Sequence, residues 1–473
     1  MIFKPHKYQD ISTNHLIDNP FAGLFLDMGL GKTVSTLTAI KRLIAEKKVR
    51  KVLVIAPKRV AKDTWSDELA KWDHLEGLTL SKILGNAKQR ILALNAKADI
   101  YIINREMVVW LVALLQERWP FDMLVIDELS SFKAASSHRF KALRRIRPLV
   151  NRCVGLTGTP MPNGLIDLWP QMYLLDMGER LGPTLGGFRD KYFRPAKQQG
   201  HIVYTYALKG KAKDDYPELF GTEQYEAEIY EKISDICISM KAKDWLDLPP
   251  MYDITTPVHL SDALMKQYND FERDQVMQLA NVEGTEITAP SATSVINKLL
   301  QFGNGAIYDS EKDWHEIHTD KIEALGERLE AAQGKPVLVL YQFKHDIERI
   351  KKYLKEFNPV HMDDVKDVVK KWNNFEIQTL LGHAMSMGHG LNMQDSGDNI
   401  EHFGLGWGSE LYSQAITRIH RQGKTRPVTN NRLLCRGTYD EVVLERVEAK
   451  LAGQDRLMSA VDAVKALMRK HQI

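Results

Sequence analysis

The sequence has little cysteine and no long apolar run, and each shortage excludes a class of protein. Its 473 residues include only three cysteines, Cys153, Cys237 and Cys435, which are far apart in the chain. That spacing predicts neither a disulfide framework nor a zinc site, and it favours a reducing cytoplasm. The first residues, MIFKPHKYQD, contain no apolar signal segment, and no apolar run approaches the ~20 residues that cross a bilayer. We therefore expect neither secretion nor insertion into a membrane.

An excess of one charge is also missing. Lys and Arg number 64 against 61 Asp and Glu, which gives a formal net charge of +3. This balance permits a polyanionic partner without indicating one, because only clustered charge leaves an electrostatic footprint. Hydrophobic residues make up 44% of the chain and charged residues 26%, as in globular proteins, and the length exceeds one ordinary core. Two domains or more are expected.

Short β-rich runs alternate with helical patterns in two parts of the sequence. The runs are GLFLD, VLVIAP, DIYII, MLVID and VGLTGT in the first part, and VLVLY and TLLGHA after residue 330. Strands that alternate with helices predict parallel sheets. Between about residues 164 and 320 this alternation is lost, and the pattern predicts charged helices. The simplest organisation is two α/β lobes with helical insertions.

The segment GLFLDMGLGKT joins an apolar run to a glycine loop, which a helical pattern follows. Gly29 and Gly31 let backbone N–H groups close around phosphates at a helix N-terminus. Lys32 can reach the β- and γ-phosphates, and Thr33 offers a hydroxyl to Mg²⁺. The P-loop pattern has glycine where this chain has Leu26, so a chance glycine turn stays open as an alternative.

A second segment, MLVIDELS, ends an apolar run with two acidic residues. Asp127 and Glu128 would lie at the carboxyl end of a buried strand, where α/β sheets bind ligands. Loop polarity or a helix cap is the alternative. With a P-loop upstream, we predict that Asp127 holds Mg²⁺ through water and that Glu128 polarises the attacking water. Together the two segments predict an enzyme that hydrolyses ATP with Mg²⁺.

Near the C-terminus, the segment QAITRIHRQGKT carries two arginines three positions apart. Arg418 and Arg421 are predicted on one helix face, with Gln414 one turn earlier, and guanidinium groups at that spacing suit phosphate oxygens. A solvated basic face is the alternative. If the second lobe presents this helix to the P-loop, the arginines reach the γ-phosphate and hydrolysis depends on lobe closure.

Taken in order, these segments resemble the motifs of Swi/Snf-type DNA translocases, a branch of helicase superfamily two. The resemblance covers nearly the whole chain, and the family commonly lacks the first P-loop glycine. It rests on KYQD, DMGLGKT, VLVIAPKRVAKDTW, IDELS, LTGTPMPNG, GHGLNMQ and GWGSELYSQAITRIHRQGK. It implies two RecA-like parallel-sheet lobes, at residues 1–240 and 241–473, with helical insertions and a C-terminal brace helix. The chain resembles compact phage or bacterial members without accessory domains.

The resemblance also implies roles for individual residues. Nucleotide contacts are expected from Gln9, Met28, Gly29, Leu30, Gly31, Lys32, Thr33 and Gly390, and metal contacts from Thr33 and Asp127. Catalytic roles are expected for Glu128, Gln414, Arg418 and Arg421. Contacts to the DNA backbone are expected from Lys58, Arg59, Asn104, Arg105, Asn163, Gln342, Lys344 and Trp407. For this last set the alternative is an ordinary exposed polar residue or, for Trp407, a core residue.

Three departures from the family pattern concern the coupling between ATP and DNA. Leu129 and Ser130 replace the common Ala-His pair, Met385 replaces a basic residue, and Lys424 replaces a final glutamine. We expect these changes to alter the coupling and to leave the hydrolysis chemistry intact.

The expected function is a DNA-dependent ATPase that moves along double-stranded DNA through sequence-independent backbone contacts. We expect a monomer in the cytoplasm of a bacterial or phage-infected cell. A strand-separating helicase is the first alternative, and a nucleotide-gated factor that assembles other proteins on DNA is the second. The second lobe has no segment that predicts an aromatic-tipped β-hairpin, which favours the motor over strand separation.

Overall fold

Two parallel β-sheets organise the chain, one in each of two units. The computed structural model describes residues 1–58, 60–158, 160–161, 164–199, 202–209, 222–280, 289–387, 391–406 and 409–451. The two units are Met1–Leu246 and Asp247–Ile473. Within the described ranges, every helix is too short or too polar to cross a membrane.

Parallel pairing builds the main sheet of the first unit. The strands of this unit are β1 (Phe21–Leu26), β2 (Val52–Ala56), β3 (Leu80–Ile83), β4 (Ile100–Asn104), β5 (Met123–Asp127), β6 (Arg152–Thr157), β7 (Phe193–Gln199), β8 (Ile202–Leu208) and β9 (Cys237–Met240). Seven of them form one sheet in the order β3-β4-β2-β5-β6-β1-β9, and all neighbours are parallel. Strands β7 and β8 form a separate antiparallel hairpin.

Apolar side chains from both faces of this sheet enter two different cores. Along β2, Leu53 and Ile55 belong to one core, and Val52 and Val54 belong to the other. This alternation follows the two-residue period of a strand, and it explains why the run is apolar throughout. The helices of the unit are α1 (Lys7–Asp18), α2 (Lys32–Ala45), α3 (Trp65–Lys71), α4 (Ala87–Asn95), α5 (Val108–Leu115), α6 (His138–Ile146), α7 (Leu168–Asp176), α8 (Leu185–Tyr192), α9 (Thr222–Ile233) and α10 (Ala242–Trp245).

The second unit repeats the parallel architecture. Its strands are β10 (Met251–Val258), β11 (Ala306–Tyr308), β12 (Trp314–Glu316), β13 (Val337–Tyr341), β14 (Pro359–His361), β15 (Thr379–His383), β16 (Asn399–His402) and β17 (Val428–Cys435). Six form a parallel sheet in the order β10-β17-β16-β13-β15-β14, and β11 pairs antiparallel with β12. Its helices are α11 (Asp262–Ala280), α12 (Ala289–Asn304), α13 (Asp320–Ala331), α14 (Lys344–Tyr353), α15 (Val368–Asn373), α16 (Ala384–Met387), α17 (Ser409–Ile416) and α18 (Tyr439–Leu451). The expected fold class, two parallel-sheet α/β lobes, is confirmed.

The segment between residues 164 and 320 differs from its prediction. It contains helices, but it also contains the hairpin β7–β8 and the strands β9 and β10, which pair in parallel with β1 and β17. Both β9 and β10 are edge strands of their sheets. The first is only four residues long and the second is largely exposed, so neither carries the apolar run that marks a buried strand.

The C-terminal helix is described as far as Leu451. Helix α18 packs against α12 and α17 of the second unit. The rest of the apolar pattern that predicts a brace helix, residues 452–468, lies outside the described residues. The bracing role therefore stays a prediction.

A chain of buried polar side chains joins four helices of the second unit. Lys321 in α13 donates to Asp440 Oδ2 in α18 at 2.5 Å and to Asn304 Oδ1 in α12 at 2.9 Å. Asn304 donates in turn to Asp346 Oδ2 in α14 at 3.0 Å, and this oxygen also accepts the Phe343 N–H at 2.8 Å. The four side chains are almost inaccessible to solvent. Each buried charge therefore depends on its partner for stability.

We expect Asp440→Ala to lower the free energy of unfolding of the second unit by about 3–5 kcal/mol, because it leaves the Lys321 ammonium buried without its counter-ion. Urea unfolding followed by circular dichroism measures the change. Lys351→Ala is the control, since the Lys351–Asp364 pair is solvent-exposed and worth less than about 1 kcal/mol. Equal losses in the two variants would contradict the role of the buried pair.

Candidate functional site

The glycine loop lies between β1 and the N-terminus of α2. Gly29 and Gly31 have φ angles of 90° and 64°, a left-handed region that favours glycine. A Cβ on Gly31 would also approach the side-chain nitrogen of Gln9 to 2.5 Å. The backbone turn therefore favours glycine at both positions, and at Gly31 an added Cβ would also displace the Gln9 side chain. The loop leads directly into α2, whose first N–H groups have no partner inside the helix and suit an anion.

The Lys32 ammonium lies inside this loop. Its Nζ donates to the carbonyl oxygens of Leu26 at 2.6 Å and Asp27 at 3.2 Å. Asp27 is itself held by residues near the C-terminal end of the first unit. Its N–H donates to Met240 O at 3.0 Å, and its Oδ2 accepts the Ala242 N–H at 2.8 Å. Strand β9, which the sequence pattern did not predict, thus anchors the loop that carries the lysine.

Gln9 packs against the loop, where the resemblance places a nucleotide contact. It lies in the first turn of α1, and its Oε1 accepts the His6 N–H at 2.9 Å. Met28 lies on the same loop and Thr33 lies in the first turn of α2, and both are half-buried. Leu30 is fully buried in the core. Gly390 lies outside the described residues.

The acidic pair lies at the same edge of the sheet as the glycine loop, namely the edge formed by the carboxyl ends of the strands. Strand β6 lies between β5 and β1, and the register pairs Asp127 with Leu156 and Phe25 with Thr157. The carboxyl ends of the three strands are therefore level. The sheet brings Asp127 and Glu128 together with Lys32, the first residue of α2.

Burial raises the pKa of Asp127 to about 6. A hydrogen bond from Trp65 Nε1 to its Oδ2, at 2.9 Å, and the positive charge of Lys32 oppose the rise, whereas the charge of Glu128 adds to it. A carboxyl group that is costly to ionise is one that a bound cation would stabilise.

Glu128 is held by two hydroxyl groups. The Ser130 Oγ and the Thr157 Oγ1 donate to the same oxygen, Oε1, at 2.7 Å and 3.1 Å. The Glu128 backbone has φ 61°, an unusual conformation for a residue with a side chain. Leu129 is fully buried, and a Cβ on Gly155 would approach its side chain to 2.4 Å. The unusual pair Leu129 and Ser130 thus fixes the turn and the carboxylate of Glu128.

The donor set fits a magnesium ion that shares its ligands with phosphate and water. Among the described residues, no group of three or more His, Cys, Asp or Glu side chains could hold a metal alone. Mg²⁺ commonly takes only one or two protein oxygens and completes its octahedron with phosphates and water. Asp127 and Thr33 are residues of the right kind at this edge.

Gln414 lies in α17, but Arg418 and Arg421 lie beyond the end of that helix at Ile416. The prediction of a single helix face for the arginines is therefore wrong. The Arg418 N–H bonds Ala415 O at 3.2 Å in a turn, and its carbonyl accepts the Met393 N–H at 3.2 Å. The helix ends because these backbone groups find partners outside the helical pattern.

Both arginines contact the segment that carries GHGLNMQ. Arg418 is buried, and its Nε donates to Met387 O at 3.0 Å. Arg421 is half-buried, and its Nη1 donates to Leu391 O at 3.4 Å and to Asn392 Oδ1. The two C-terminal motifs therefore meet within the second unit.

Lys424, a departure from the family pattern, has a structural position. Its buried Nζ donates to Gln394 O at 3.0 Å and Gly397 O at 2.6 Å, and it lies 2.6 Å from Asp398 Oδ1. Burial lowers the pKa of Lys424, and the bond to Asp398 opposes that effect. The lysine fixes the segment that leads into β16. The side chain of Met385, another departure, lies outside the described set.

Five of the eight predicted DNA-binding residues are described, and they fall at the carboxyl ends of strands. Lys58 follows β2, Asn104 and Arg105 are at the end of β4, and Gln342 and Lys344 follow β13. Arg59, Asn163 and Trp407 lie outside the described residues. The sequence did not single out Ser130 or Thr157 as partners of Glu128, although a hydroxyl two residues beyond the acid was a usable signal.

We expect Asp127→Asn to raise the unfolding temperature of the nucleotide-free protein near neutral pH by at least about 2 °C. The folded pKa lies above its ordinary value, so ionisation destabilises the fold above about pH 6, and this cost disappears as the pH falls towards about 4. Thermal melts across this pH range measure the difference, with the exposed Glu117→Gln as control. A lower melting temperature for Asp127→Asn near neutral pH would contradict the expectation.

Comparison with known proteins agrees with these motifs. The family described as SNF2-related domain matches residues 15–306. Putative protein p41 of Acyrthosiphon pisum secondary endosymbiont phage 1 is 37% identical, over 97% of this chain and 99% of its own length. An uncharacterized ATP-dependent helicase of Mycoplasma genitalium is 25% identical over 91% of this chain, which spans only 40% of that protein.

Among solved structures, the Sulfolobus solfataricus SWI2/SNF2 ATPase core in complex with dsDNA has a TM-score of 0.44 and 21% identity, and the match covers 99% of this chain and 97% of that one. The family match spans more than half of the chain, and the phage relative aligns over nearly the full length of both. The chain therefore belongs to the SNF2-related family and is an ATP-hydrolysing enzyme of that family.

Proposed function

We propose that the protein is a DNA-dependent ATPase that couples hydrolysis to movement along double-stranded DNA. The observation that carries the proposal is the meeting of Lys32, Asp127 and Glu128 at one sheet edge, beside a loop shaped for phosphate. Family membership and a relative named as an ATP-dependent helicase support nucleic acid as the partner. The predicted backbone-contact residues that the structure describes lie at the carboxyl ends of strands in both sheets.

Binding and orientation of ATP are assigned to the first unit. The loop N–H groups and Lys32 bind the phosphates, and Gln9 contacts the base side. Thr33 and Asp127 would hold Mg²⁺, which supplies positive charge to the phosphate oxygens when bound. The cradle thereby fixes the γ-phosphate for in-line attack by water.

Glu128 accepts a proton from the attacking water. Its Oε1 is occupied by the hydroxyls of Ser130 and Thr157, so the carboxylate is oriented before water arrives. Orientation of this kind lowers the entropic part of the barrier. In this chain, the Glu128 carboxylate therefore links the segment IDELS to the segment LTGTPMPNG, which contains Thr157.

The catalytic roles of Gln414, Arg418 and Arg421 are also proposals. Arginines that neutralise charge in the transition state contribute about 10³–10⁵ in rate in related phosphoryl transfers. Arg421 is the better residue to test, because it is half-buried whereas Arg418 is buried. We place the motor, as a monomer, in the cytoplasm of a bacterial or phage-infected cell.

Three variants separate nucleotide binding from turnover. Lys32→Ala should lose both, whereas Glu128→Gln and Arg421→Ala should bind a fluorescent ATP analogue and lose about 10²-fold or more in DNA-stimulated turnover. A coupled ATPase assay with and without duplex measures the loss, and Lys48→Ala, with an exposed lysine, is the control. Turnover by Glu128→Gln at the parent rate would contradict the proposed role of Glu128.

Translocation is tested separately from strand separation. We expect the protein to displace a triplex-forming third strand and to leave the strands of a tailed duplex together, because backbone tracking needs only phosphate contacts. The duplex-stimulated ATPase should fall steeply with salt through counterion release. ATP-dependent release of the labelled duplex strand would favour the strand-separating helicase. Stable DNA binding without turnover would favour the assembly factor.

A further inference from the structure

Three polar side chains meet around Glu106, just beyond the carboxyl end of β4. The Asn104 Nδ2 donates to Glu106 Oε2 at 3.0 Å, and the Arg105 Nε donates to Oε1 at 2.9 Å. Arg139, which is 33 positions farther along the chain in α6, has its Nη1 3.8 Å from the same Oε1. We call Glu106 and these three residues the Glu106 cluster. Of its four members, only Asn104 and Arg105 are among the residues that the family resemblance predicts to contact DNA.

Arg139 is placed by its surroundings and remains accessible. Helix α6 begins at His138, and the Ser137 side chain caps it by accepting the Phe140 N–H at 3.2 Å. The Arg139 guanidinium lies over the buried ring of Phe132 at 5.7 Å, a cation–π contact. The side chains of Arg105, Arg139 and Glu106 are 26%, 32% and 50% exposed. A partner can therefore reach the guanidinium groups without rearrangement of the core.

The chain around Arg139 is basic over a long stretch. Between Glu128 and Asp167 no acidic residue occurs, and the interval contains seven lysines and arginines, Lys133, Arg139, Lys141, Arg144, Arg145, Arg147 and Arg152. Of these, Arg147 is buried and Arg144 bonds the Tyr173 hydroxyl, so they serve the fold. Arg139 differs because it shares the Glu106 carboxylate with two residues at the end of β4.

Glu106 is suited to position these donors. Partial burial raises its pKa, but the hydrogen bonds from Asn104 and Arg105 outweigh that effect, so the pKa is lowered overall. The carboxylate therefore stays charged near neutral pH. With two arginines and one glutamate, the cluster keeps a net positive charge.

Phosphate can replace the carboxylate as a partner of the arginines at little cost. Exposed ion pairs are worth about 0–1 kcal/mol, so an arginine can leave Glu106 readily. Guanidinium groups bind phosphate oxygens through two parallel hydrogen bonds, and the side-chain amide of Asn104 adds a neutral donor. Such contacts recognise the backbone and not the bases.

We propose that Arg139, held with Asn104 and Arg105 by Glu106, contacts the phosphate backbone of duplex DNA. The proposal rests on the proposed function, which supplies the duplex. Arg139 adds a contact outside the segments that resemble family motifs, and Glu106 acts as a positioning residue for the cluster.

The test compares Arg139→Ala with Arg50→Ala in the full chain. Arg50 is a matched control, since it is an exposed arginine beside one carboxylate, Asp122 at 3.4 Å, but precedes β2 at the opposite edge of the sheet. Binding to a mixed-sequence duplex is measured by fluorescence anisotropy over a range of salt concentrations. We expect Arg139→Ala to weaken binding about 5-fold and to reduce the slope of log K against log salt by about 0.9.

The ATPase without DNA should be unchanged in both arginine variants, because neither residue belongs to the nucleotide site. Arg139→Ala should require about 5-fold more duplex for half-maximal stimulation, as its weaker binding dictates. Parent-like binding and an unchanged salt slope in Arg139→Ala would overturn the proposal. A parent protein that hydrolyses ATP but shows no duplex stimulation would instead overturn the proposed function.

Glu106→Gln tests the positioning role. If Glu106 only neutralises the cluster, its loss should strengthen DNA binding; if it positions the donors, binding should weaken although the protein becomes more positive. We expect weaker binding, by about 2- to 5-fold. Stronger binding by Glu106→Gln would overturn the positioning role.

An acidic peptide tests whether Arg139 belongs to a protein-binding surface instead. If Arg139→Ala weakened the binding of this peptide as much as the binding of duplex DNA, the surface would be one for acidic protein segments, and the DNA assignment would be overturned.

Discussion

Parallel pairing is the constraint on which the candidate site depends. In a parallel sheet all strands end at the same edge, so side chains far apart in sequence become neighbours without any long-range design of loops. The glycine loop after β1, the acids after β5 and Thr157 at the end of β6 come together for this reason alone. The Glu106 cluster uses the same rule at β4, where a strand end meets the start of α6.

Hydrogen bonds and packing around each motif then hold the side chains at this edge in a defined geometry. The Glu128 backbone takes a left-handed conformation, which persists only where its surroundings determine it. Ser130, Thr157 and the buried Leu129 provide that determination. In the second unit, the two arginines are held by hydrogen bonds to backbone carbonyls, and Lys424 holds the segment before β16 in the same way. In both units, the charged side chains of the motifs are therefore held by residues that lie in or next to another motif segment.

Strands with continuous apolar runs and the glycine loop were predictable, because their signals are local in sequence. Strand β10 was not, since an edge strand need not be apolar, and β9 is too short to show a period. The end of α17 before Arg418 depends on a carbonyl bond to Met393, which no local pattern reveals. The contacts of Thr157 and Arg139 arise between segments that only the sheet brings together, whereas the Ser130 contact to Glu128 is local. Local sequence thus predicts elements and motif identity, whereas side-chain partners require the fold.

The edge strand β10 also bears on how the chain behaves at high concentration. A strand at the border of a sheet can pair with a strand of another molecule, and the exposed Tyr252 and Ile254 would favour such pairing. Two residues oppose it: Pro257 has no N–H to donate, and Asp253 places a charge at the border while bonding Arg432 at 2.9 Å. The same eight-residue strand, which borders the second sheet in the described part of the chain, therefore carries its own protection against self-association.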